Sequence, residues 1–289
     1  MKVCGFSFVR NAIEFDYPVV ESIKSVLPLC DLFIISVGNS KDDTLQLIQS
    51  IDSPKIKIIE SVWDDSIRKG GKVLAVETNK AFQEIPPEYD WCFYIQADEV
   101  IHQDDYSAIK EQMHLWKDNP KVEGLLFQYH HFYGSYDYVG DSRKWYRNEV
   151  RIIKNDKNIY SFRDAQGFQK NGRPLRVKKS NGYVYHYGWV KPPKQQQAKQ
   201  ESFHKLWHEQ AWLDKNIAKQ EEFDYQSVDA LAKFTKTHPK MMQARIDAKN
   251  WNFAYDKTKM KLNFKNSVLY FLDKQFGIRI GEYKNYNLI

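Results

Sequence analysis

Two adjacent acids, Asp98 and Glu99, follow almost directly after the apolar and aromatic run of residues 91–95. Such a run is typical of a buried strand, in which an unpaired carboxylate would cost several kcal/mol or more. In open α/β sheets, however, ligands bind beyond the carboxyl ends of the strands. Acids at that position can face a cation, a sugar hydroxyl or a proton to be moved, although they can equally begin a loop or cap the next helix.

Polar side chains also follow the three strand-like runs that come earlier in the chain. The carboxyl ends of parallel strands meet at one edge of a sheet, so we expect these side chains to converge there. Carboxylates beside a diphosphate imply a divalent cation, because Mg²⁺ and Mn²⁺ prefer oxygen ligands and bridge phosphate to protein. The residues at the four strand ends are Arg10, Asn11, Asn39, Asp42, Asp65, Gln96, Ala97 and Asp98.

The first hundred residues carry an alternating pattern that would position these strand ends. Short apolar runs typical of strands alternate with stretches of helical periodicity. The strands are predicted at residues 3–9, 31–37, 56–60 and 91–96, and the helices at residues 17–26, 44–51 and 72–82. This order predicts a parallel, right-handed, doubly wound sheet, and therefore the α/β fold class.

The pattern changes after a helix predicted at residues 104–116. Residues 124–140 are typical of a strand followed by an aromatic loop, and residues 150–155 and 183–190 of further strands in mixed directions. Pro192 and Pro193 then interrupt regular structure, and the remaining chain is predicted to be mainly helical. We therefore expect an α/β domain at residues 1–190 and a helical region at residues 191–289.

The composition and the net charge limit the classes of partner that we expect. The 289 residues carry a net charge of +6 and 15% aromatic residues, which suits anionic small ligands or an acidic membrane surface. The chain lacks a zinc knuckle, an RNA-recognition motif and a long basic run, so nucleic acid is not expected as a partner.

Cysteine usage and the absence of targeting segments predict the compartment. The three cysteines lie in or beside apolar runs without metal-binding spacing, which is typical of buried thiols in a reducing compartment. The sequence shows no secretory leader and no apolar stretch of about 18 residues. We expect a cytoplasmic protein that at most lies on the inner face of the plasma membrane.

Three short motifs carry a family resemblance. The chain lacks the GxGxxG and Walker A signatures, which disfavours dinucleotide oxidoreductases and P-loop enzymes. Instead, FVRNAIEF, ISVGNSKDDTLQLI and DWCFYIQADEV together resemble the nucleotide-sugar-binding half of family 2 type glycosyltransferases with the GT-A fold, of the bacterial cell-surface glycan type. The segment GNSKDDT resembles the end of D-x-G-S-x-D-x-T, with Asp42 and Thr44 at its later Asp and its Thr. The segment QADE resembles D-x-D or D-A-D-E, and the likeness covers roughly residues 1–190.

The resemblance implies roles for the strand-end residues. Asp98 would bind Mn²⁺ or Mg²⁺, His186 would complete the metal shell, and Glu99 would support the site or contact the sugar. Two positions depart from the family pattern. Gln96 stands at the first Asp of D-x-D and brings no charge to a metal, and the early Asp of the second motif falls near Val37 or Gly38. His186 between two tyrosines can equally be a packed structural residue.

A catalytic base is implied in the second half of the chain. There VRIIKNDKNIYSFRDAQGF resembles an arginine-bearing strand followed by an acid near the acceptor, with Arg151 on the strand and Asp164 at the acid. The usual family ending is His-Glu, so Asp137, Asp141 and Glu149 remain rival bases. The implied reaction is an inverting single displacement by an acceptor hydroxyl.

The expected function is sugar transfer from a nucleotide-diphosphate sugar to a glycan or lipid-linked acceptor, in surface polysaccharide or lipopolysaccharide synthesis. Arg10 and Asn11 would position the nucleotide, and Lys69 and Lys72, which flank two glycines, would approach the diphosphate. The helical region would close over the acceptor, mediate dimerisation or lie on a membrane. The alternatives are a sugar nucleotidyltransferase and a catalytically inactive module that binds glycan or nucleotide.

Overall fold

The structure is a computed structural model that describes residues 1–67, 70–205, 215, 220–256 and 260–289. Its strands, in chain order, are β1 (Val3–Val9), β2 (Leu32–Gly38), β3 (Ile56–Ser61), β4 (Trp91–Tyr94), β5 (Glu99–Ile101), β6 (Gly124–Tyr133), β7 (Ser135–Gly140), β8 (Asn148–Lys154), β9 (Ile159–Phe162), β10 (Gly167–Lys170), β11 (Arg173–Trp189), β12 (Leu231–Lys233) and β13 (Tyr286–Leu288).

Helices lie between and after the strands. In chain order they are α1 (Val19–Val26), α2 (Thr44–Gln49), α3 (Lys72–Gln83), α4 (Tyr106–Trp116), α5 (Pro193–Lys205), α6 (Gln243–Asp247) and α7 (Phe264–Phe276). Short 3₁₀ helices lie at Leu27–Leu29, Gln103–Asp105, Tyr225–Ser227 and Lys240–Met242. None of the described helices combines the length and the apolar character that crossing a bilayer requires.

The sheet begins as a parallel block and continues as a mixed sheet. Its order is β3-β2-β1-β4-β8-β6-β11-β10-β9. Strands β1 to β4 pair in parallel, as the sequence predicted. Strand β8 then runs antiparallel to both β4 and β6, while β6 and β11 are parallel. The strand order reverses between β1 and β4, so the topological switch point, where open α/β sheets bind ligands, lies between those two strands.

Helices cover both faces of the parallel block, which confirms the α/β fold class. Side chains alternate along β1, with Val3 and Val9 on one face and Cys4 and Phe6 on the other. The first face packs against α1, α2 and α4. The second packs against α3 through residues such as Phe82. The sheet is therefore buried on both sides, as its continuous apolar strands require.

The three cysteine thiols are free and buried, as predicted. Cys4 and Cys92 lie on neighbouring parallel strands, and Cys30 precedes β2. Burial raises the pKa of the Cys4 thiol to about 12, so this group stays protonated and behaves as a small apolar side chain.

The prediction of an aromatic loop at the end of residues 124–140 is wrong, because residues 135–140 form strand β7. Gly134, with φ of 71°, makes the tight turn between β6 and β7. The tyrosines then alternate with polar residues, with Tyr136 buried and Asp137 exposed. That alternation is the period of a strand.

The C-terminal region contains the expected helices and also contributes to the sheet. In the described part, α5, α6 and α7 are accompanied by β12, which pairs with β7, and β13, which pairs with β11. Each of these strands has three residues, too few to show a period in the sequence. The domain boundary after residue 190 stays a prediction.

Candidate active site

A cleft of about 430 Å³ opens at the carboxyl ends of β1, β3 and β4. It lies at the switch point between β1 and β4, where the loops that follow the two strands diverge. The structure thus brings together the predicted residues from three of the four strand ends. They are Arg10, Asn11, Asp65, Gln96, Ala97 and Asp98.

The residues that follow β2 support the loops beside the cleft. Asn39 and Asp42 line a neighbouring depression of about 350 Å³. The Asp42 carboxylate accepts hydrogen bonds from the backbone N–H groups of Ile13 and Glu14, at 3.0 and 2.8 Å. The Asn39 side-chain oxygen accepts the backbone N–H of Trp63 at 3.1 Å. Both side chains therefore hold the loops that shape the cleft, and a nucleotide-binding role for them stays a prediction.

Asn11 has a similar bracing role at the end of β1. Its backbone is left-handed, with φ of 55°, a conformation that Asn tolerates better than most residues. Its side-chain oxygen accepts the backbone N–H of Lys41 at 2.9 Å, and its amide donates to Glu14 at 2.8 Å. Asn11 thus links the loop after β1 to the loop after β2.

Arg10 forms one wall of the cleft together with the loop after β3. Its Nη1 donates to Asp65 Oδ1 at 2.7 Å, and its guanidinium lies 5.4 Å from the centroid of the Trp63 ring. A Cβ at Gly38 would lie 2.4 Å from Trp63 Nε1, so only glycine admits the indole there. The Arg10 Nε is buried and has no hydrogen-bond partner within the described part of the chain. The arginine is therefore fixed in place at the edge of the cleft.

Asp98 is the acid of the cleft that follows β4. Its Oδ2 lies 3.2 Å from Lys199 Nζ and 3.7 Å from His186 Nε2. Burial by itself would raise the pKa of Asp98, but the positive charge of Lys199 and the neighbouring His186 hold that pKa well below its usual range. A Cβ at Gly188 would lie 2.7 Å from the same Oδ2, so glycine is needed beside the carboxylate. Asp98 is therefore an anion held between basic groups.

His186 is oriented by a second histidine behind it. Its Nδ1 lies 3.0 Å from Nδ1 of His131, whose Nε2 lies 2.8 Å from the carbonyl oxygen of Tyr146. Burial lowers the pKa of His131 well below its usual value, so that ring is neutral. It donates through Nε2 to the carbonyl and accepts at Nδ1, which makes His186 the donor between the two rings. The Nε2 of His186 is then directed at Asp98.

The predicted metal ligands Asp98 and His186 lie side by side, but no third His, Cys, Asp or Glu ligand among the described residues accompanies them. Among the described residues no group of three or more His, Cys, Asp or Glu side chains could hold a metal ion. The side-chain amide of Gln96 donates through Nε2 to the Tyr94 hydroxyl and to the carbonyl oxygen of Ala165. The Asp98 carboxylate is already paired with the Lys199 ammonium at 3.2 Å, and Gln96 adds no charge. The residues present therefore do not fit a divalent cation, and the Mn²⁺ or Mg²⁺ stays a prediction.

Glu99 and Arg151 lie behind the cleft. Both side chains are fully buried and form a bidentate ion pair, with Nε to Oε2 and Nη2 to Oε1 at 2.8 Å. The Tyr129 hydroxyl also donates to Glu99, at 2.7 Å. Neither residue is among the described residues that line the cleft, because each satisfies the charge of the other inside the protein. We therefore infer a positioning role for the pair, which corresponds to the supporting role expected for Glu99. Sugar contact by Glu99 and nucleotide-sugar binding by Arg151 stay predictions.

Asp164 lies in a strained loop next to the strand-end turn of β4. Arg163 and Ala165 on either side of it have φ of 54° and 61°, which is costly for residues other than glycine. The carbonyl oxygen of Ala165 accepts the 3.3 Å hydrogen bond from Gln96, which ties this loop to the cleft. Burial raises the pKa of Asp164, so that its carboxylate takes up a proton more readily.

The other candidate bases lie in different environments from Asp164. Glu149 is buried, and its carboxylate accepts from Gln166 at 2.5 Å and from Asn285 at 2.9 Å. Asp141 accepts from the Tyr270 hydroxyl at 2.6 Å and forms an ion pair with Lys274. Asp137 is exposed on β7. The assignment of the base stays a prediction.

Lys72 lies apart from the cleft. It is exposed at the first residue of α3, and it is not among the described residues that line the cleft. Gly70 and Gly71, with φ of 63° and 67°, make the turn that precedes it. Lys69 lies outside the described residues. The glycine pair therefore forms a turn, and diphosphate binding by Lys72 stays a prediction.

Sequence reasoning missed the lysines that follow β11. Lys199 on α5 reaches Asp98, and Lys191 is fully buried, with its Nζ donating to the Phe15 carbonyl oxygen at 2.6 Å. Both ammonium groups lie over the Tyr17 ring, at 4.6 Å for Lys191 and 4.9 Å for Lys199. The only signal in the sequence is a lysine on a helix that directly follows the last long strand, and that pattern is common on exposed helices.

Comparison with known proteins gives weak structural likenesses only. No family model matches the chain, and no curated protein matches it in sequence. The chain is similar to S. aureus TarS 1–349 in complex with UDP, with a TM-score of 0.36 and 12% identity over 76% of this chain and 68% of that one. It is also similar to 4-diphosphocytidyl-2C-methyl-D-erythritol synthase from Anaerococcus prevotii, with a TM-score of 0.35 and 9% identity over 53% of this chain and 71% of that one. Overlaps of this quality carry no information about activity or substrate.

Proposed function

We propose that the chain is an inverting glycosyltransferase of the GT-A type, a hexosyltransferase-like enzyme of class EC 2.4. The observation that supports this most strongly is Asp98, an anion at the switch point of a parallel sheet, in a cleft whose other walls carry Arg10 and Lys199. Ligands of open α/β sheets bind at this place. The resemblance of GNSKDDT and QADE to the donor-binding motifs of family 2 enzymes agrees with it.

The proposed reaction is a single displacement. The acceptor hydroxyl oxygen attacks the anomeric carbon, and the bond from that carbon to the diphosphate oxygen breaks with its electron pair on the departing diphosphate. The acceptor proton passes to a carboxylate, for which we propose Asp164. Its place after the arginine-bearing strand matches the acid of the family pattern, and its loop is tied to the cleft by the hydrogen bond from Gln96 to the Ala165 carbonyl oxygen.

The diphosphate gains negative charge as it leaves, so the site must supply positive charge. Among the described residues, the cleft is lined by four basic residues, Arg10, Lys41, Lys199 and Lys205, and by four acids, Glu14, Asp65, Asp98 and Glu201. Arg10 and Lys199 are held by ion pairs with Asp65 and Asp98, and cations fixed in this way stabilise a developing anion without any rearrangement during the reaction. We therefore propose that the basic wall of the cleft binds the diphosphate and that the nucleoside extends along the ends of β1 and β2.

The acceptor is proposed to be a glycan or a lipid-linked sugar in surface polysaccharide or lipopolysaccharide synthesis. Helix α7 supports a membrane-surface role, because Phe264, Val268 and Phe271 lie on one face of the helix and are 86%, 44% and 56% exposed. Lys265 and Lys274 lie on the same helix. An exposed apolar stripe with basic neighbours is typical of helices that rest on anionic membranes.

The experiment that tests the function is incubation of the pure protein with a panel of UDP-, GDP-, CMP- and dTDP-sugars. A glycosyltransferase slowly hydrolyses its donor and releases the nucleotide, and Asp98→Ala should abolish this release. A sugar nucleotidyltransferase would instead require pyrophosphate and convert the donor to a nucleoside triphosphate and a sugar phosphate. Binding without any turnover would identify an inactive module, an outcome that the neutral Gln96 at the first position of D-x-D would explain.

A further inference from the structure

The positive group that contacts Asp98 in the cleft is a side chain of the protein, the Lys199 ammonium. We propose that the Lys199 ammonium takes the place of the divalent cation, so that it binds the diphosphate of the donor and the enzyme works without a metal. This inference rests on the proposed function, because it concerns how the same cleft holds the same ligand.

The position of Lys199 Nζ is the first observation. It lies 3.2 Å from Asp98 Oδ2 and 2.9 Å from the carbonyl oxygen of Gly188, to which it donates. An ammonium has three N–H donors, so these contacts use two of them. Lys199 also lines the cleft, with its side chain 13% exposed. The third N–H is therefore available to a ligand that enters the cleft.

The second observation is that several contacts hold the Lys199 side chain in place. The residue lies on α5, a helix of 13 residues, and its Nζ lies over the Tyr17 ring at 4.9 Å. Lys191 covers the same ring at 4.6 Å. A cation that is held by a carboxylate, a carbonyl and an aromatic face is positioned before the ligand arrives, as electrostatic stabilisation of a leaving group requires.

The incomplete ligand set is the third observation. Asp98 and His186 are close together, but the described residues provide no third acidic or histidine ligand. The Gln96 amide is engaged through its Nε2 with Tyr94 and Ala165. A divalent cation beside Asp98 would also face the Lys199 ammonium, which already offsets the charge of that carboxylate. A lysine thus supplies the positive charge that the D-x-D resemblance assigns to a metal.

The test compares nucleotide binding by the wild-type chain, Lys199→Met, Lys199→Arg and Lys110→Met, by calorimetry. Lys110 is an exposed lysine on α4, outside the cleft, and provides the matched control. The ligands are UDP, GDP, CDP and dTDP with the corresponding monophosphates, each in EDTA and in Mn²⁺ or Mg²⁺. Each variant is first checked for a cooperative thermal transition.

The expected result is a diphosphate affinity that is equal in EDTA and in metal. Lys199→Met should lower it by about ten- to a hundredfold, the loss of one charge-assisted hydrogen bond, with a smaller effect on the monophosphates. Lys199→Arg should retain most of the affinity, and Lys110→Met all of it.

Two results would overturn the inference and leave the proposed function standing. One is diphosphate binding that requires Mn²⁺ or Mg²⁺, which the wild-type chain reveals even if Lys199→Met does not fold. The other is full affinity in folded Lys199→Met. If no diphosphate bound in either condition, the proposed function would fail and the inference with it.

Discussion

The side chains of Arg151 and Glu99 meet in a fully buried bidentate ion pair directly behind the turn that carries Asp98. Glu99 Oε2 also accepts the backbone N–H of Gln96 at 3.1 Å, and Arg151 Nη1 donates to the carbonyl oxygen of Gln166 at 2.8 Å. The pair therefore connects β8, the turn after β4 and the loop of Asp164. It supports the cleft from inside the protein, since neither residue is among the described residues that line it.

Breaking this pair should destabilise the protein strongly. Arg151→Met leaves the Glu99 carboxylate buried without its cation, and we expect the free energy of unfolding to fall by about 3–5 kcal/mol. Lys57→Met removes one partner of an ion pair that is half exposed on both sides, and it should cost about 0–1 kcal/mol. Urea denaturation of the two variants measures the difference. Equal, small losses would show that the buried pair is not what holds the turn.

The glycine beside Asp98 gives a second prediction. A Cβ at Gly188 would lie 2.6 Å from His186 Nε2 and 2.7 Å from Asp98 Oδ2. Gly188→Ala should displace both groups and lower donor turnover by about a hundredfold, because small misplacements at a reacting centre are costly.

Gly182→Ala is the matched control for this variant, since its Cβ would lie 2.8 Å from Ile109 in the core. It should cost about 1–3 kcal/mol of stability and leave the turnover of each folded molecule unchanged. Donor kinetics and thermal unfolding distinguish the two effects. Wild-type turnover in Gly188→Ala would contradict the proposed place of Asp98 in the site.

The buried acid Glu149 predicts a pH dependence of stability. Burial raises its pKa from 4.5 to about 7, so the folded state binds this proton more tightly than the unfolded state does. The stability that the bound proton contributes is complete below about pH 4.5 and is lost as the pH rises through about 7, on the order of 3 kcal/mol in all.

The side-chain amide in Glu149→Gln does not ionise. The free energy of unfolding should therefore decrease less between these pH values in that variant than in the wild type. Glu111→Gln, an exposed change on α4, should keep the wild-type curve. Denaturant unfolding at a series of pH values measures the slopes. Parallel curves for wild type and Glu149→Gln would show that Glu149 ionises normally in the folded protein.

The exposed face of α7 predicts membrane binding. The wild-type chain should sediment with vesicles of phosphatidylcholine and phosphatidylglycerol at low salt and dissociate at high salt. Phe271→Asp, which places a charge on the apolar stripe, should reduce this binding by about tenfold or more.

Leu115→Asp on α4, where Leu115 is 60% exposed, is the matched control and should bind as the wild type does. If the wild-type chain remained in solution at low salt, or if both variants behaved alike, the proposed membrane-surface role of α7 would be wrong.

The sequence predicted the parallel half of the fold well because its signals are local. Strands β1 to β4 are continuous apolar runs, and each following helix has its own period, so the bounds agree within a few residues. The strands β5, β7, β9, β10, β12 and β13 were not predicted, and neither were residues 173–182 of β11. Strands β12 and β13 pair with β7 and β11, which lie far away along the chain. Strand β7 pairs with the adjacent β6, and its aromatic residues were interpreted as a loop.

The site was predictable in its position but not in its detail. The convergence of Arg10, Asp65 and Asp98 follows from the parallel order of the strands. The burial of Glu99 does not, because its partner Arg151 lies 52 residues further on. The same holds for Lys199, which is 101 residues from Asp98. Charge pairing across such separations is set by the tertiary fold, and one sequence carries no signal for it.

The most direct test of the account is a crystal structure of the chain soaked with UDP, GDP or dTDP. The account predicts density for the diphosphate in the cleft between the ends of β1 and β4, within hydrogen-bonding distance of Arg10 or Lys199 and beside the Asp98 carboxylate. A nucleotide bound elsewhere, or an Asp98 covered by packed side chains with no cleft before it, would contradict it.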